Sequence, residues 1–129
     1  MDSQESNSYL EVANFLMDYP FNTSQIGYEY LIGSIAMVLE EDKNKRLRLG
    51  KDIYTEMAGR FNVGLKYYEK AVRQALQTVA INCRSNQDIV YPNEALRLAF
   101  KAPTAKSFIY AIVTQISLNR KAKKLKSSN

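Results

Sequence analysis

One segment of the sequence combines the side chains that proteins use to contact the edges of DNA bases. Between residues 65 and 82, apolar residues recur every three or four positions, which predicts an amphipathic helix. Lys and Arg donate hydrogen bonds to guanine, Gln binds adenine and Glu accepts from cytosine. The candidates for base contacts form one stripe at intervals of four, three and four residues (Lys66, Lys70, Arg73 and Gln77), a flanking pair (Tyr67 and Gln74) and Glu69 on the other side.

The same polar face has a plainer interpretation, because any solvated helix shows a stripe of mixed charge. The segment before it favours the DNA interpretation. Residues 52–61 predict a short helix, and Asn62, Val63 and Gly64 follow it. Asn and Gly tolerate the left-handed backbone that a tight turn between helices requires. Short helix, turn and long helix form a helix-turn-helix candidate, whose second helix would enter the major groove.

The net charge of +5 conceals an uneven distribution along the chain. Residues 1–42 hold eight acidic side chains and no Lys or Arg, so they carry −8, whereas the remaining residues carry +13. This split predicts an anionic partner for the second part, with the acidic third facing away from it. Basic residues that precede or end the short helix are candidates for phosphate contacts: Lys43, Lys45, Arg46, Arg48, Lys51 and Arg60.

Composition removes most routes to catalysis. The chain has no histidine and a single cysteine, Cys83, so the usual nucleophile systems and metal sites lack their residues. Its five glycines form no phosphate-binding loop. We therefore expect no enzyme activity, no metal and no cofactor. The acidic, polar N-terminus is unlike a signal peptide and no apolar run reaches membrane length, which predicts a cytoplasmic protein without a membrane partner.

Helical periodicity dominates the chain and predicts an all-α fold. The first helix runs from a cap at Ser8 to Pro20, with Met17 on its inner face, and the others span about 26–41, 52–61, 65–82, 93–100 and 104–121. The predicted architecture is a compact six-helix bundle in which the third and fourth helices form the helix-turn-helix. It divides into an acidic disordered leader (1–7), a helical domain (8–121) and a basic flexible tail (122–129).

Four segments, in this order, resemble one known family. They are residues 26–31 with 35–38; residues 53–54 with 57–58 and 61–62; residues 69–76; and Pro103-Thr104 with Phe108-Ile109. Together they are similar to the C-terminal effector domain of the sporulation-initiation response regulator (the stage zero sporulation protein A family). The similarity extends over about residues 8–120, nearly the whole chain.

The resemblance carries expectations about fold, partner and interface. It implies a six-helix bundle whose third and fourth helices bind double-stranded DNA at short promoter boxes, with copies bound as a homodimer or in tandem. Glu69, Lys70 and Arg73 match family positions that face DNA. In the family, neighbouring domains meet through the last helix, whose apolar residues here are the candidates for a dimer interface: Phe108, Ile109, Ile112, Val113 and Ile116.

The sequence also departs from the family. Tyr67 and Lys70 stand where the family usually has arginine, and Ala105 replaces an asparagine. Arginine donates to guanine in a bidentate fashion that tyrosine lacks, so these departures predict a different DNA preference or weaker binding. The receiver domain that normally precedes this module is not in the sequence. We therefore expect a stand-alone effector domain that phosphorylation does not control directly.

Two functional hypotheses follow. The first is a sequence-specific DNA-binding transcription regulator that uses the helix-turn-helix. The alternative is a protein–protein interaction module that pairs with a full-length regulator or with RNA polymerase, through the last helix or the acidic first third, and does not bind DNA specifically itself.

Overall fold

The computed structural model describes residues 3–41 and 48–127, and every regular element in those two ranges is helical. The all-α six-helix prediction is confirmed. None of the described helices is both long enough and apolar enough to cross a bilayer. The elements are α1 (Ser3–Leu16), α2 (Ile26–Glu40), a π-helical turn (Leu49–Tyr54) that continues into α3 (Thr55–Arg60), α4 (Leu65–Arg84), α5 (Glu94–Lys101) and α6 (Ala105–Ser127).

Helix α2 is the centre of the bundle and packs against α1, α4 and α6. Ten of its fifteen residues are buried, as expected for a helix that is apolar around most of its circumference. Its closest neighbour is α4. A Cβ atom added at Gly27 would lie only 1.9 Å from the carbonyl oxygen of Ala71, so glycine is what allows the two backbones to approach.

Several helix ends differ from their predicted positions. α1 begins at Ser3, five residues early, so Ser8 lies inside the helix and its hydroxyl bonds Glu40 instead of capping. Met17 follows the end of α1 and is 72% exposed rather than inward. α6 continues to Ser127, so helix covers parts of the predicted leader and tail. Polar residues at these ends carry no apolar period, which explains why the pattern stopped short of them.

Candidate nucleic-acid interface

The turn between α3 and α4 is fixed by its own backbone hydrogen bonds. The Asn62 amide donates to the Gly59 carbonyl (3.1 Å) and the Val63 amide to the Ala58 carbonyl (3.0 Å), which is the Schellman pattern. Asn62 has a φ of 58° and is the left-handed residue of this turn. Gly64, expected to share that role, is extended and precedes the first residue of α4. This turn sets the direction in which α4 leaves α3.

Tyr68 anchors the inner face of α4 to α2. Its hydroxyl is fully buried and donates to the carbonyl oxygen of Tyr30 at 2.7 Å. The Ser34 hydroxyl completes the network by donating to the hydroxyl oxygen of Tyr68. Burial raises the pKa of Tyr68, so the phenol stays protonated and keeps its donor. A satisfied buried network of this kind holds α4 in one orientation.

An aromatic cluster surrounds this anchor and connects α2 and α4 with the π-helical turn and the end of α3. The rings of Tyr30 and Tyr68 stack with centroids 4.5 Å apart, and Phe61 at the end of α3 packs on Tyr30 at 4.7 Å. Tyr54 of the π-helical turn lies 5.2 Å from Tyr68. Further along, the side chain of Gln25 donates to the Thr78 hydroxyl at 3.1 Å. α4 is thus supported from behind along most of its length.

The opposite face of α4 points to solvent, and it holds all the candidates for base contacts. Six of the seven are exposed and Glu69 is half-buried: Lys66, Tyr67, Lys70, Arg73, Gln74 and Gln77 are the exposed six. Tyr67 also lies with its ring edge toward Tyr30, at 6.4 Å between centroids. The predicted stripe is therefore one continuous surface on a rigidly backed helix.

The candidates for phosphate contacts are only partly described. Lys43, Lys45 and Arg46 lie outside the described residues. Arg48, Lys51 and Arg60 are exposed beside the first helix of the motif. Two of them form ion pairs with a residue four positions away, since Arg48 contacts Asp52 at 3.7 Å and Arg60 contacts Glu56 at 3.2 Å. Exposed pairs of this type are weak, so both cations remain able to exchange a carboxylate for a phosphate.

Four of the five expected dimer-interface residues are not on the surface of α6. Phe108, Ile109, Ile112 and Ile116 are buried in the core, and Val113 is partly buried. This corrects the expectation, because an apolar period marks whichever face a helix buries and does not say against what. Part of the accessible apolar surface of α6 lies beside α5, in a groove of about 540 Å³ with half-exposed Leu98 and Leu118 on its walls.

The structure also shows a feature that the sequence did not reveal. A groove of about 940 Å³, here called the α4–α6 groove, runs between α4, the π-helical turn and the start of α6. Its charged lining residues are Glu69, Arg73, Arg84 and Lys106. Arg84 is the last residue of α4, two residues beyond the predicted end of that helix, and Lys106 lies 22 residues further along the chain. The only sequence signal near Lys106 was the predicted cap at Thr104. Within the described residues, no group of three metal-ligating side chains comes together.

Comparison with protein families identifies the group to which this arrangement belongs. Residues 12–116 match the family described as "Sporulation initiation factor Spo0A C terminal". The chain belongs to this family. It is accordingly a DNA-binding effector domain of sporulation transcription regulators, a regulatory rather than an enzymatic class. No match was found among curated proteins, and none among solved structures. The family match confirms the resemblance that was inferred from the four sequence segments.

Proposed function

We propose that this Spo0A C-terminal domain is a sequence-specific transcription regulator whose α4 enters the DNA major groove as the second helix of a helix-turn-helix. The observation that carries the proposal is the split of α4 into two faces. One face is locked to α2 by Tyr68, and the other presents the base-contact candidates to solvent. A helix that reads bases must be held rigidly while its outer side chains stay free to bond.

The base contacts of this surface follow from its residue types. Lys70 and Arg73, which are exposed, would donate to guanine, and the exposed Gln74 and Gln77 would bind adenine. Arg48, Lys51 and Arg60 would neutralise phosphates, which adds affinity without sequence information. Lys43, Lys45 and Arg46 stay candidates for the same task.

Selection from a random duplex library tests the proposal. We expect the native chain to enrich a defined motif, and Lys70→Ala to lose about 1–3 kcal/mol of discrimination at one or two positions of that motif. Lys121→Ala removes the same charge from the far end of α6 and is the matched control, which should keep the native motif. Enrichment of no motif by the native chain would exclude specific DNA binding.

A second candidate function is pairing with another protein, and the groove between α5 and α6 favours it. Leu98 and Leu118 are 54% and 52% exposed on its walls, although large apolar side chains usually bury more of their surface. The partner would be a second copy on adjacent DNA, a full-length regulator or RNA polymerase. Leu118→Lys should abolish cooperative binding to a two-box duplex and leave single-box affinity unchanged. Equal loss on both duplexes would count against this candidate.

A further inference from the structure

The α4–α6 groove carries an excess of positive charge next to the base-contact stripe. Arg73, Arg84 and Lys106 line it against the single carboxylate of Glu69, which leaves a net charge of +2 on the lining. Arg84 is held at the edge of the groove because its guanidinium donates to the Lys101 carbonyl oxygen at 3.0 Å. A concave surface with this charge balance favours an anion.

The start of α6 adds directed donors to this charge. Thr104 caps the helix, since its hydroxyl oxygen accepts from the Ser107 amide at 3.2 Å. The cap leaves the first two amides of the helix, those of Ala105 and Lys106, without an acceptor among the described residues. Both residues line the groove. The positive end of a 23-residue helix therefore opens toward it.

An independent observation comes from the opposite wall. Tyr54 lines the groove with only 5% of its surface exposed, and its hydroxyl has no hydrogen-bond partner in the described part of the chain. Leaving such a group unpaired costs stability, so a ligand in the groove that supplies an acceptor would be bound more tightly. Burial and the nearby Glu69 carboxylate both raise the pKa of this phenol, which keeps it a donor.

We infer that the α4–α6 groove seats one backbone phosphate of the bound DNA, between the N-terminus of α6, the Lys106 side chain and the Tyr54 hydroxyl. The inference rests on the proposed function. Arg73 and Gln77 belong to both the stripe and the groove lining. A duplex that lies on the stripe therefore has one strand passing along the groove. A phosphate oxygen accepts from amides, ammonium and phenol alike, which matches the donors present.

Two variants and one control test this phosphate-binding site. Tyr54→Phe removes only the orphan hydroxyl. It should weaken DNA binding about three- to tenfold while the free energy of unfolding stays equal or rises. Lys106→Gln should lower the slope of log affinity against log salt by about 0.9, one phosphate's share. Lys121→Gln, at the other end of the same helix, should leave the slope unchanged. Equal slopes for the native chain and Lys106→Gln would overturn the inference, as would an equal loss of slope in both lysine variants.

Methylphosphonate substitution locates the phosphate. In a duplex carrying the selected motif, each phosphate in turn is replaced by the uncharged analogue. We expect one position where replacement weakens DNA binding by the native chain but has no effect on DNA binding by the double variant Tyr54→Phe/Lys106→Gln. If no position behaves so, and inorganic phosphate alone shifts the Ala105 and Lys106 amide resonances, the groove takes a free phosphate and the DNA assignment is wrong.

Failure of this inference is distinguishable from failure of the proposed function. If Lys70→Ala loses discrimination while Tyr54→Phe and Lys106→Gln bind as the native chain does, α4 binds DNA and the groove holds no phosphate. If the native chain enriches no motif at all, the proposed function itself fails.

Discussion

Tyr67 is an exposed aromatic residue at a position where the family was expected to have arginine. Its exposed ring reaches past Tyr30 on the outer face of α4, where it can touch a thymine methyl or a phosphate but cannot form a bidentate pair with guanine. Tyr67→Arg should therefore introduce a guanine preference of about 1–3 kcal/mol at one position of the selected motif. Tyr67→Phe, the control, keeps the ring and should keep the native motif. An unchanged motif in Tyr67→Arg would mean that residue 67 does not face a base.

Tyr68, the next residue, is buried, so we expect it to stabilise the fold and not to contact DNA. Tyr68→Phe leaves the Tyr30 carbonyl oxygen without its donor and the Ser34 hydroxyl without its acceptor, both in a buried site. The expected cost is about 1–3 kcal/mol in the free energy of unfolding, measured by urea denaturation. Tyr67→Phe is again the matched control, because its ring is exposed, and it should change stability by less than about 0.5 kcal/mol. Equal stabilities would show that the buried network contributes nothing net.

At the scale of elements, the close approach of α2 and α4 depends on one missing side chain. Gly27→Ala places a Cβ against the backbone oxygen of Ala71, which cannot rotate away. We expect a loss of at least about 1–3 kcal/mol in unfolding free energy, together with weaker DNA binding as α4 is displaced. Gly59→Ala is the contrasting variant, since nothing lies within 4 Å of its added Cβ in α3. It should stabilise the chain by about 0.4–1 kcal/mol. Destabilisation by Gly59→Ala and none by Gly27→Ala would contradict this packing.

The elements also show what the sequence can and cannot specify. Apolar periodicity located α2 and α4 to within two residues of their ends, and it gave Tyr68, Val72 and Val79 as inward residues. It did not show the π-helical turn, because an extra residue per turn has no signature in polarity. Nor did it show that Leu65, at the first position of α4, stays exposed. The face of α6 was read correctly as apolar but assigned to the wrong neighbour, which only tertiary contacts decide.

Contacts between residues that are far apart in sequence could not be predicted from local sequence patterns. Arg120 of α6 bonds Glu11 of α1 at 2.6 Å and Glu40 of α2 at 3.2 Å. The acidic end of α2 thus takes a partner eighty residues away in sequence, and part of the −8 charge is balanced within the fold. The α4–α6 groove arises in the same way, since Tyr54, Arg84 and Lys106 meet only when the bundle closes.

For the whole molecule, tyrosine burial predicts how stability depends on pH. The chain has nine tyrosines and no histidine, and burial raises the pKa of eight of the nine: Tyr9, Tyr19, Tyr28, Tyr30, Tyr54, Tyr68, Tyr91 and Tyr110. In the unfolded chain a tyrosine ionises near pH 10. Above that pH the unfolded state releases protons that the folded state retains, so stability is full below about pH 10 and falls as pH rises.

The loss of stability above pH 10 should be steep, because several buried phenols contribute to it. Each fully buried tyrosine contributes at most about 1.4 kcal/mol of stability per pH unit above its unfolded pKa, and Tyr54 and Tyr68 have the most deeply buried phenols. Urea midpoints measured from pH 8 to 11 should stay level at first and then drop beyond pH 10. The absorbance at 295 nm that Tyr68 contributes, measured as the difference between the native chain and Tyr68→Phe, should rise at the same pH as unfolding, and not before it. Tyr68→Phe has one phenol fewer, so its urea midpoint should fall less steeply with pH above pH 10. If the absorbance difference between the native chain and Tyr68→Phe appears well below the unfolding transition, Tyr68 ionises in the folded state, and the cluster behind α4 is then open to solvent and cannot hold that helix rigid.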